Sequence, residues 1–195
     1  MAHQKFDLAK LERLNDPGRF DSMIPAVMWD ALGSPKPRVI VDIGAGTGLF
    51  AEKFAEFAPG ATVYAADMAP EMVEWMRAHR AGVASGRLVP LLSTETGVDR
   101  PDAGAQLVMM LNLHHELAEP AMLYAEALRL LEPGGQLLVV DWAARETPKG
   151  PPLAIRASVD ALDAFLRAAG FVDIAEHEGL PWHTLVTARR PTHRS

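Results

Sequence analysis

An acidic residue and three alternate glycines occur together in the segment from Asp42 to Gly48, which reads Asp-Ile-Gly-Ala-Gly-Thr-Gly. Glycine allows a positive φ and lacks the Cβ that would collide with a closely approaching ligand. A β-branched run at residues 39–43 leads into the glycines, and a helix-like stretch at residues 49–54 follows them. This order of strand, glycine loop and helix predicts an α/β site whose backbone approaches a nucleotide-like ligand.

A second acidic candidate, Asp67, ends the apolar stretch at residues 62–66. In open α/β sheets, ligands bind beyond the carboxyl ends of the strands, where a carboxylate can accept hydrogen bonds from both hydroxyls of a ribose. Nicotinamide enzymes use an acid in the same way, so Asp67 indicates a ribose without identifying the cofactor. The alternative is a turn residue that caps the helix beginning near Pro70.

Proton-transfer chemistry is suggested by His114, His115 and Asp141, which follow two predicted strands. Histidine titrates near neutral pH and is the usual general base. The alternative for either histidine is a structural role, with its ring donating to the backbone. Adjacent side chains rarely chelate one ion, and no paired Cys/His spacing accompanies them, so we predict no metal site.

Strands that alternate with helices must position these residues, and this alternation predicts a parallel, doubly wound sheet. The last two strands are too close for a crossover helix, so they form a hairpin and one of them is antiparallel. We therefore predict an α/β, Rossmann-like sheet of seven mostly parallel strands with an antiparallel C-terminal hairpin and helices on both faces. The predicted strands are residues 39–43, 62–66, 88–92, 106–111, 136–141, 172–177 and 184–188. The predicted helices are residues 8–14, 22–32, 49–58, 70–80, 120–131 and 158–169.

The spacing of Gly44, Gly46 and Gly48 after Asp42 resembles the first motif of the class I S-adenosylmethionine (SAM)-dependent methyltransferases. A dinucleotide fingerprint has the different spacing G-x-G-x-x-G. Residues 128–138, with Glu-Pro-Gly-Gly at their centre, resemble a second motif of the family. The likeness extends over about residues 38–189. Residues 3–7, Asp16-Pro17 and the loop from Asp141 to Arg156 resemble a small subgroup related to the ubiquinone/menaquinone C-methyltransferases.

The resemblance implies SAM as the cofactor. The residues that it assigns to the cofactor are Asp42, Gly44, Ala45, Gly46, Gly48, Asp67, Met68, Thr94, Glu95 and Leu111. The chain departs from the family at two places. After the third strand no Asp stands where the family holds the adenine amino group, and Thr94 or Glu95 is the nearest substitute. Before the fourth strand, Ala105-Gln106 replaces Phe-Asp.

The residues expected to line the acceptor site are Lys5, Phe6, Trp142, Arg145 and Arg156. The alternative is a packed aromatic ring at Trp142 and surface charges at the two arginines. We expect residues 1–34 to be a helical segment over the active site, residues 35–190 to be the SAM-binding domain and residues 191–195 to be a tail.

Composition narrows the function further. A net charge of −6 disfavours nucleic acid as a partner. The chain has no cysteine, no apolar signal core and no apolar run approaching the ~20 residues of a membrane span. We therefore expect a cytoplasmic protein with no membrane span, although the oligomeric state cannot be read from the sequence.

The function predicted is SAM-dependent methyl transfer to a small-molecule acceptor. A SAM-binding sensor or accessory protein without transfer activity is the alternative. An NAD-binding oxidoreductase is disfavoured by the glycine spacing and by the terminal hairpin.

Overall fold

The structure is a computed structural model that describes residues 8–192 of the chain, with side chains from residue 11. It contains seven strands: β1 Val39–Ile43, β2 Thr62–Asp67, β3 Leu88–Leu92, β4 Ala105–Leu111, β5 Leu131–Trp142, β6 Val172–His177 and β7 His183–Arg189. They form one sheet in the order β3-β2-β1-β4-β5-β7-β6. β7 runs antiparallel to β5 and to β6, and it is the one strand of this sheet that runs opposite to the other six. The predicted fold class is thus confirmed, and the strand order reverses between β1 and β4, where α/β sheets bind ligands.

Seven α-helices surround this sheet: α1 Leu8–Asn15, α2 Pro25–Ala31, α3 Leu49–Phe57, α4 Pro70–His79, α5 Ala81–Ala84, α6 Pro120–Leu130 and α7 Val159–Ala169. The apolar sides of α2, α3 and α4 pack on one face of the sheet, and those of α6 and α7 pack on the other. Within residues 8–192, no helix combines the length and the apolar character needed to cross a membrane.

The helix predicted over residues 22–32 is shorter than expected. Ile24 has an extended backbone, with φ −69° and ψ 110°, and α2 begins only at Pro25. The ring of a proline disfavours the helical conformation in the residue before it, which explains the late start. A short 3-10 helix, Pro17–Asp21, precedes α2 instead.

The Glu-Pro-Gly-Gly segment lies within β5 rather than ahead of it. Ala105 pairs with Leu131 and Leu107 with Gln136, so β5 bulges between these pairs. A Cβ on Gly135 would lie 2.9 Å from the Glu132 carbonyl oxygen, so only glycine fits this bulge.

Gln106, which departs from the family pattern together with Ala105, lies within β4 and has a structural role. Its Oε1 accepts hydrogen bonds from the Arg38 and Val39 backbone at 3.0 and 2.9 Å, and its Nε2 donates to Glu132. The side chain therefore joins the start of β1 to the β5 bulge.

Candidate active site at the carboxyl edge of the sheet

The glycine loop folds over the end of β2. The N–H groups of Gly44 and Ala45 both donate to the Ala66 carbonyl at 2.9 Å. Gly44, Gly46 and Gly48 have φ values of 73°, 56° and 70°, a region that glycine enters without strain. A Cβ on Gly46 would meet only a methyl group of Leu14, at 3.7 Å. The loop thus presents bare backbone at the start of α3.

Asp67 holds the turn before α4, the alternative considered for it, and it also contacts the glycine loop. One carboxylate oxygen accepts a 2.7 Å hydrogen bond from Gly46 N–H, and the other accepts one of 2.9 Å from Ala69 N–H at the start of α4. A carboxylate has about four lone-pair sites, so two remain for a ligand. Next to it, Met68 and Leu92 at the ends of β2 and β3 are 61% and 54% exposed, which leaves an apolar patch beside Asp67.

Asp42 is a buried carboxyl group, 2% exposed, at the end of β1. Burial raises its pKa to about 8, the negative charge of Asp67 adds to the rise, and Arg19 opposes it. Among residues 11–192, whose side chains the structure describes, no group donates a hydrogen bond to this carboxylate. A buried carboxylate with a raised pKa is an environment that a cationic ligand would stabilise.

Thr94 and Glu95 are exposed in the loop that follows β3. The N–H and hydroxyl of Thr94 both donate to the Gly97 carbonyl, at 2.9 and 3.2 Å, so this stretch forms a tight turn after β3. Leu111, in contrast, is buried at the end of β4.

The adjacent histidines have different environments. Nδ1 of His114 lies 2.9 Å from the Tyr124 hydroxyl, and its ring packs on Phe165 in the core below α6 and α7. Burial lowers the pKa of His114 despite the opposing charge of Asp141. These contacts indicate a structural role for His114.

His115 instead contacts Asp141 across the ends of β4 and β5. Its Nδ1 lies 2.7 Å from Asp141 Oδ1, and its backbone N–H donates to Oδ2 at 3.3 Å. Burial by itself would lower the pKa of His115, but the hydrogen bond and the charge of Asp141 outweigh it, so the pKa is raised. When Nδ1–H donates to the carboxylate, Nε2 carries the free lone pair, which is the arrangement of a carboxylate-oriented base.

Arg156 organises the loop that follows β5. Its guanidinium donates to the carbonyls of Ala143, Arg145 and Pro151 and to the Thr147 hydroxyl. With all three guanidinium nitrogens engaged within the loop, Arg156 acts as a clamp on its shape.

The loop also packs around Trp142. The ring of His183 lies 4.3 Å from the Trp142 ring, and the Arg156 guanidinium carbon lies 5.5 Å from it. Arg145 is exposed and donates to the Pro181 carbonyl at 2.7 Å. Lys5 and Phe6 lie outside the described residues.

A cavity of about 400 Å³ opens beside this loop. Ala143–Arg145, the start of α7 and the turn before β7 line it, together with Thr184. Thr184 is the register partner of Asp141, so the cavity begins one strand away from the His115–Asp141 pair.

The segment before β1 docks on the glycine loop. The Thr47 hydroxyl donates to the Leu14 carbonyl at 3.2 Å, and an Arg19 guanidinium N–H donates to the same oxygen at 2.9 Å. Arg80 joins both sides, because it donates to the Thr47 carbonyl, to Glu52 and to the Asn15 amide oxygen. Sequence patterns did not single out Arg19, Arg80, Asn112 or His183. The partners of Arg80 lie 28 or more positions away along the chain.

Comparisons with known proteins agree with this fold. A family model described as a methyltransferase domain matches residues 41–139. A SAM-dependent methyltransferase from Aquifex aeolicus is 26% identical, with a TM-score of 0.86 over 95% of this chain and 100% of that one.

Two curated relatives match over shorter segments. The demethylmenaquinone methyltransferase of Thermus thermophilus is 34% identical over 58% of this chain and 50% of its own length. The malonyl-[acyl-carrier protein] O-methyltransferase of Hahella chejuensis is 31% identical over 52% of this chain and 36% of its own. The matched segment thus spans half the length of these relatives or less.

Proposed function

Because the chain belongs to the methyltransferase domain family of class I SAM-dependent proteins, we propose that it transfers a methyl group from SAM to a small-molecule acceptor. The name of one relative specifies demethylmenaquinone, which supports a small-molecule acceptor, whereas the name of another specifies a malonyl group on an acyl-carrier protein. The observation that carries the proposal is the His115–Asp141 pair, which stands at the same sheet edge as the glycine loop.

The residues at the β1 and β2 ends fit the cofactor. The free lone pairs of Asp67 suit ribose hydroxyls, and the exposed side chains of Met68 and Leu92 suit the face of a purine. The buried carboxylate of Asp42 suits the cationic part of SAM, because a positive charge would offset the cost of its burial. Backbone N–H groups at the start of α3 suit the α-carboxylate.

When bound, SAM supplies a methyl group on a positively charged sulfur, and its transfer to an X–H acceptor leaves S-adenosylhomocysteine and one proton. Nε2 of His115 accepts that proton, while Asp141 holds the ring and stabilises the imidazolium that forms. Such a general base contributes about 10²–10⁴-fold. The cavity beside Thr184 orients the acceptor and keeps it away from water, and orientation of this kind supplies about 7–11 kcal/mol.

The test is a pair of measurements on the whole chain. Calorimetric titration with SAM, with NAD as the comparison ligand, should show binding of SAM alone. Transfer of radiolabelled methyl from SAM to a panel of phenols, quinols and carboxylic acids should then depend on His115. Binding of NAD but not SAM would overturn the proposal, and binding of SAM without transfer to any acceptor would favour a SAM-binding sensor.

A further inference from the structure

Unsatisfied polar atoms concentrate at one place on the carboxyl edge of the sheet. Among the described residues, four buried side-chain polar atoms have no hydrogen-bond partner, and three of them are Asn112 Oδ1 and both ring nitrogens of His183. A buried polar group left unpaired costs free energy, so native proteins rarely keep one without a functional reason.

Both residues lie against the same short segment before α2. Asn112 Nδ2 lies 3.1 Å from the Met23 sulfur. The Ser22 backbone acts as a weak hydrogen-bond partner that raises the pKa of His183, although neither ring nitrogen has a hydrogen bond of good geometry. Ser22 and Met23 are 7% and 0% exposed, so they seal this corner from solvent. The covering side chain is a flexible methionine, which can move aside at low cost.

The backbone at Asn112 is left-handed, a conformation that asparagine tolerates better than most residues. Its φ is 53°, a left-handed conformation that few residues other than glycine adopt. The Asn112 N–H donates to the Val140 carbonyl at 2.7 Å, which fixes the residue at the junction of β4 and β5.

The hydrogen-bonding inventory defines what would fit there. Burial lowers the pKa of His183 to about 4, against the smaller opposing effects of the Ser22 backbone and Asp141. The ring is therefore neutral at neutral pH and offers one donor and one acceptor, while Asn112 offers a second acceptor. The negative charge of Asp141 and the positive charges of Arg19 and Arg156 oppose one another at this ring, so the surroundings suit a neutral group.

We propose that Asn112 and His183 form an acceptor subsite, closed by Ser22 and Met23 in this structure, that takes a neutral hydroxyl-bearing group of the methyl acceptor. The subsite rests on the proposed function, and it adds the class of acceptor. A hydroxyl group both donates and accepts, so it satisfies atoms that the protein leaves unpaired. The contact of the His183 ring with the tilted Trp142 ring, at 4.3 Å between centroids, holds the histidine in position for this ligand.

The first test separates a ligand-binding histidine from a structural one by thermal unfolding without ligand. His183→Phe keeps a ring against Trp142 and removes two unpaired atoms, so we expect Tm to rise by about 2–4 °C. The matched variant is His177→Phe, which removes a satisfied 2.8 Å hydrogen bond to Thr187 and should lower Tm. A clear fall in Tm for His183→Phe would overturn the proposal, and His183→Leu replaces it if the phenylalanine variant does not fold.

The second test measures binding of 4-methylcatechol by calorimetry with saturating S-adenosylhomocysteine, and toluene is the control compound. We expect roughly tenfold weaker binding of 4-methylcatechol to His183→Phe, tighter binding to Met23→Ala, and no difference between wild type and variants for toluene. Equal affinity of 4-methylcatechol for wild type and His183→Phe, or no binding to wild type at millimolar concentration, would overturn the subsite. Failure of S-adenosylhomocysteine to bind would instead contradict the proposed function, and the Tm comparison would still judge the subsite.

Discussion

Asp141 accepts a 2.7 Å hydrogen bond from Nδ1 of His115, and the neighbouring Trp142 N–H also donates to the same carboxylate oxygen at 2.7 Å. The backbone N–H of His115 binds the other oxygen. The ring is thus held on one side by a carboxylate that is itself fixed, and the orientation of Nε2 is set by the fold rather than by the ligand.

We expect His115→Gln to lower the rate of methyl transfer by about 10²–10⁴-fold without changing SAM affinity, because the variant loses only the proton acceptor. Single-turnover kinetics and calorimetry measure the two effects separately. His114→Gln is the matched control, and it should lower Tm through the lost Tyr124 contact. Similar rates for wild type and His115→Gln would rule out the base.

The raised pKa of His115 predicts how pH acts on this pair. The rate should fall as pH falls through that raised pKa, because the base becomes protonated. The free energy of unfolding changes with pH in the opposite sense, because the folded state holds the His115 proton more tightly than the unfolded chain does. The stabilisation from this proton is complete below the unfolded pKa of about 6.5, and it is lost as pH rises through the pKa of the folded state. Chemical denaturation of wild type and His115→Gln across this range should show the difference narrowing at high pH.

Asp42→Asn should separate folding from cofactor binding. The folded-state pKa of Asp42 is about 8, so the folded protein binds more protons than the unfolded chain between the ordinary value of 3.8 and about 8. The free energy of unfolding therefore falls as pH rises through this window, and the asparagine variant should lose that fall. Above pH 8 the variant should be more stable than wild type and bind SAM more weakly.

SAM affinity supplies the second readout for Asp42. A cationic ligand favours the ionised carboxylate, so wild-type affinity should weaken as pH drops below about 8, whereas the affinity of Asp42→Asn should vary little. Calorimetry at pH 6.5 and pH 9 checks both. Equal wild-type affinity at the two values would show that Asp42 does not meet the cationic part of SAM.

Arg80→Met should loosen the segment before β1, because Arg80 joins Asn15 to the glycine loop and to Glu52. We expect roughly tenfold weaker SAM binding through faster dissociation, together with faster tryptic cleavage in residues 11–19. Stopped-flow dissociation and limited proteolysis measure these effects. The control is Arg77→Met, which replaces an exposed arginine of α4. Equal behaviour of the two variants would show that Arg80 does not hold the segment before β1 on the glycine loop.

Arg156→Lys tests the loop clamp at constant charge. A lysine cannot reproduce the planar fork that reaches the Ala143, Arg145 and Pro151 carbonyls together. We expect turnover to fall about tenfold with SAM affinity unchanged, while Arg145→Lys, which loses one exposed hydrogen bond, has a smaller effect. An unchanged turnover for Arg156→Lys would mean that the loop shape does not affect the acceptor site.

Local patterns predicted the elements well because each has a local cause. The helix over residues 158–169 was expected from its flanking residues, and the structure shows Ser158 accepting from Ala161 N–H and Gly170 at φ 98°. The helix over residues 22–32 was only partly right, because Pro25 prevents it from extending backwards. The short helix α5 had no local signal.

Local spacing could not assign the two histidines. His114 and His115 are adjacent in the chain, and both were candidates for the base. Tyr124 lies on α6 and Asp141 on β5, so the partner that each histidine meets depends on how these elements pack.

By itself, the sequence determined the glycine loop, the place of Asp67 and the antiparallel hairpin, because strand direction and turn chemistry are encoded within a few residues. The tertiary structure alone decided that His115 pairs with Asp141, that Arg80 reaches Asn15 and that the polar atoms of Asn112 and His183 stay unpaired. Arg80 and Asn15 are 65 positions apart in the chain, and Asn112 and Met23 are 89 positions apart. The hydrophobic periodicity of the sequence does not predict such contacts, because they form only when the strand ends meet at one edge of the sheet.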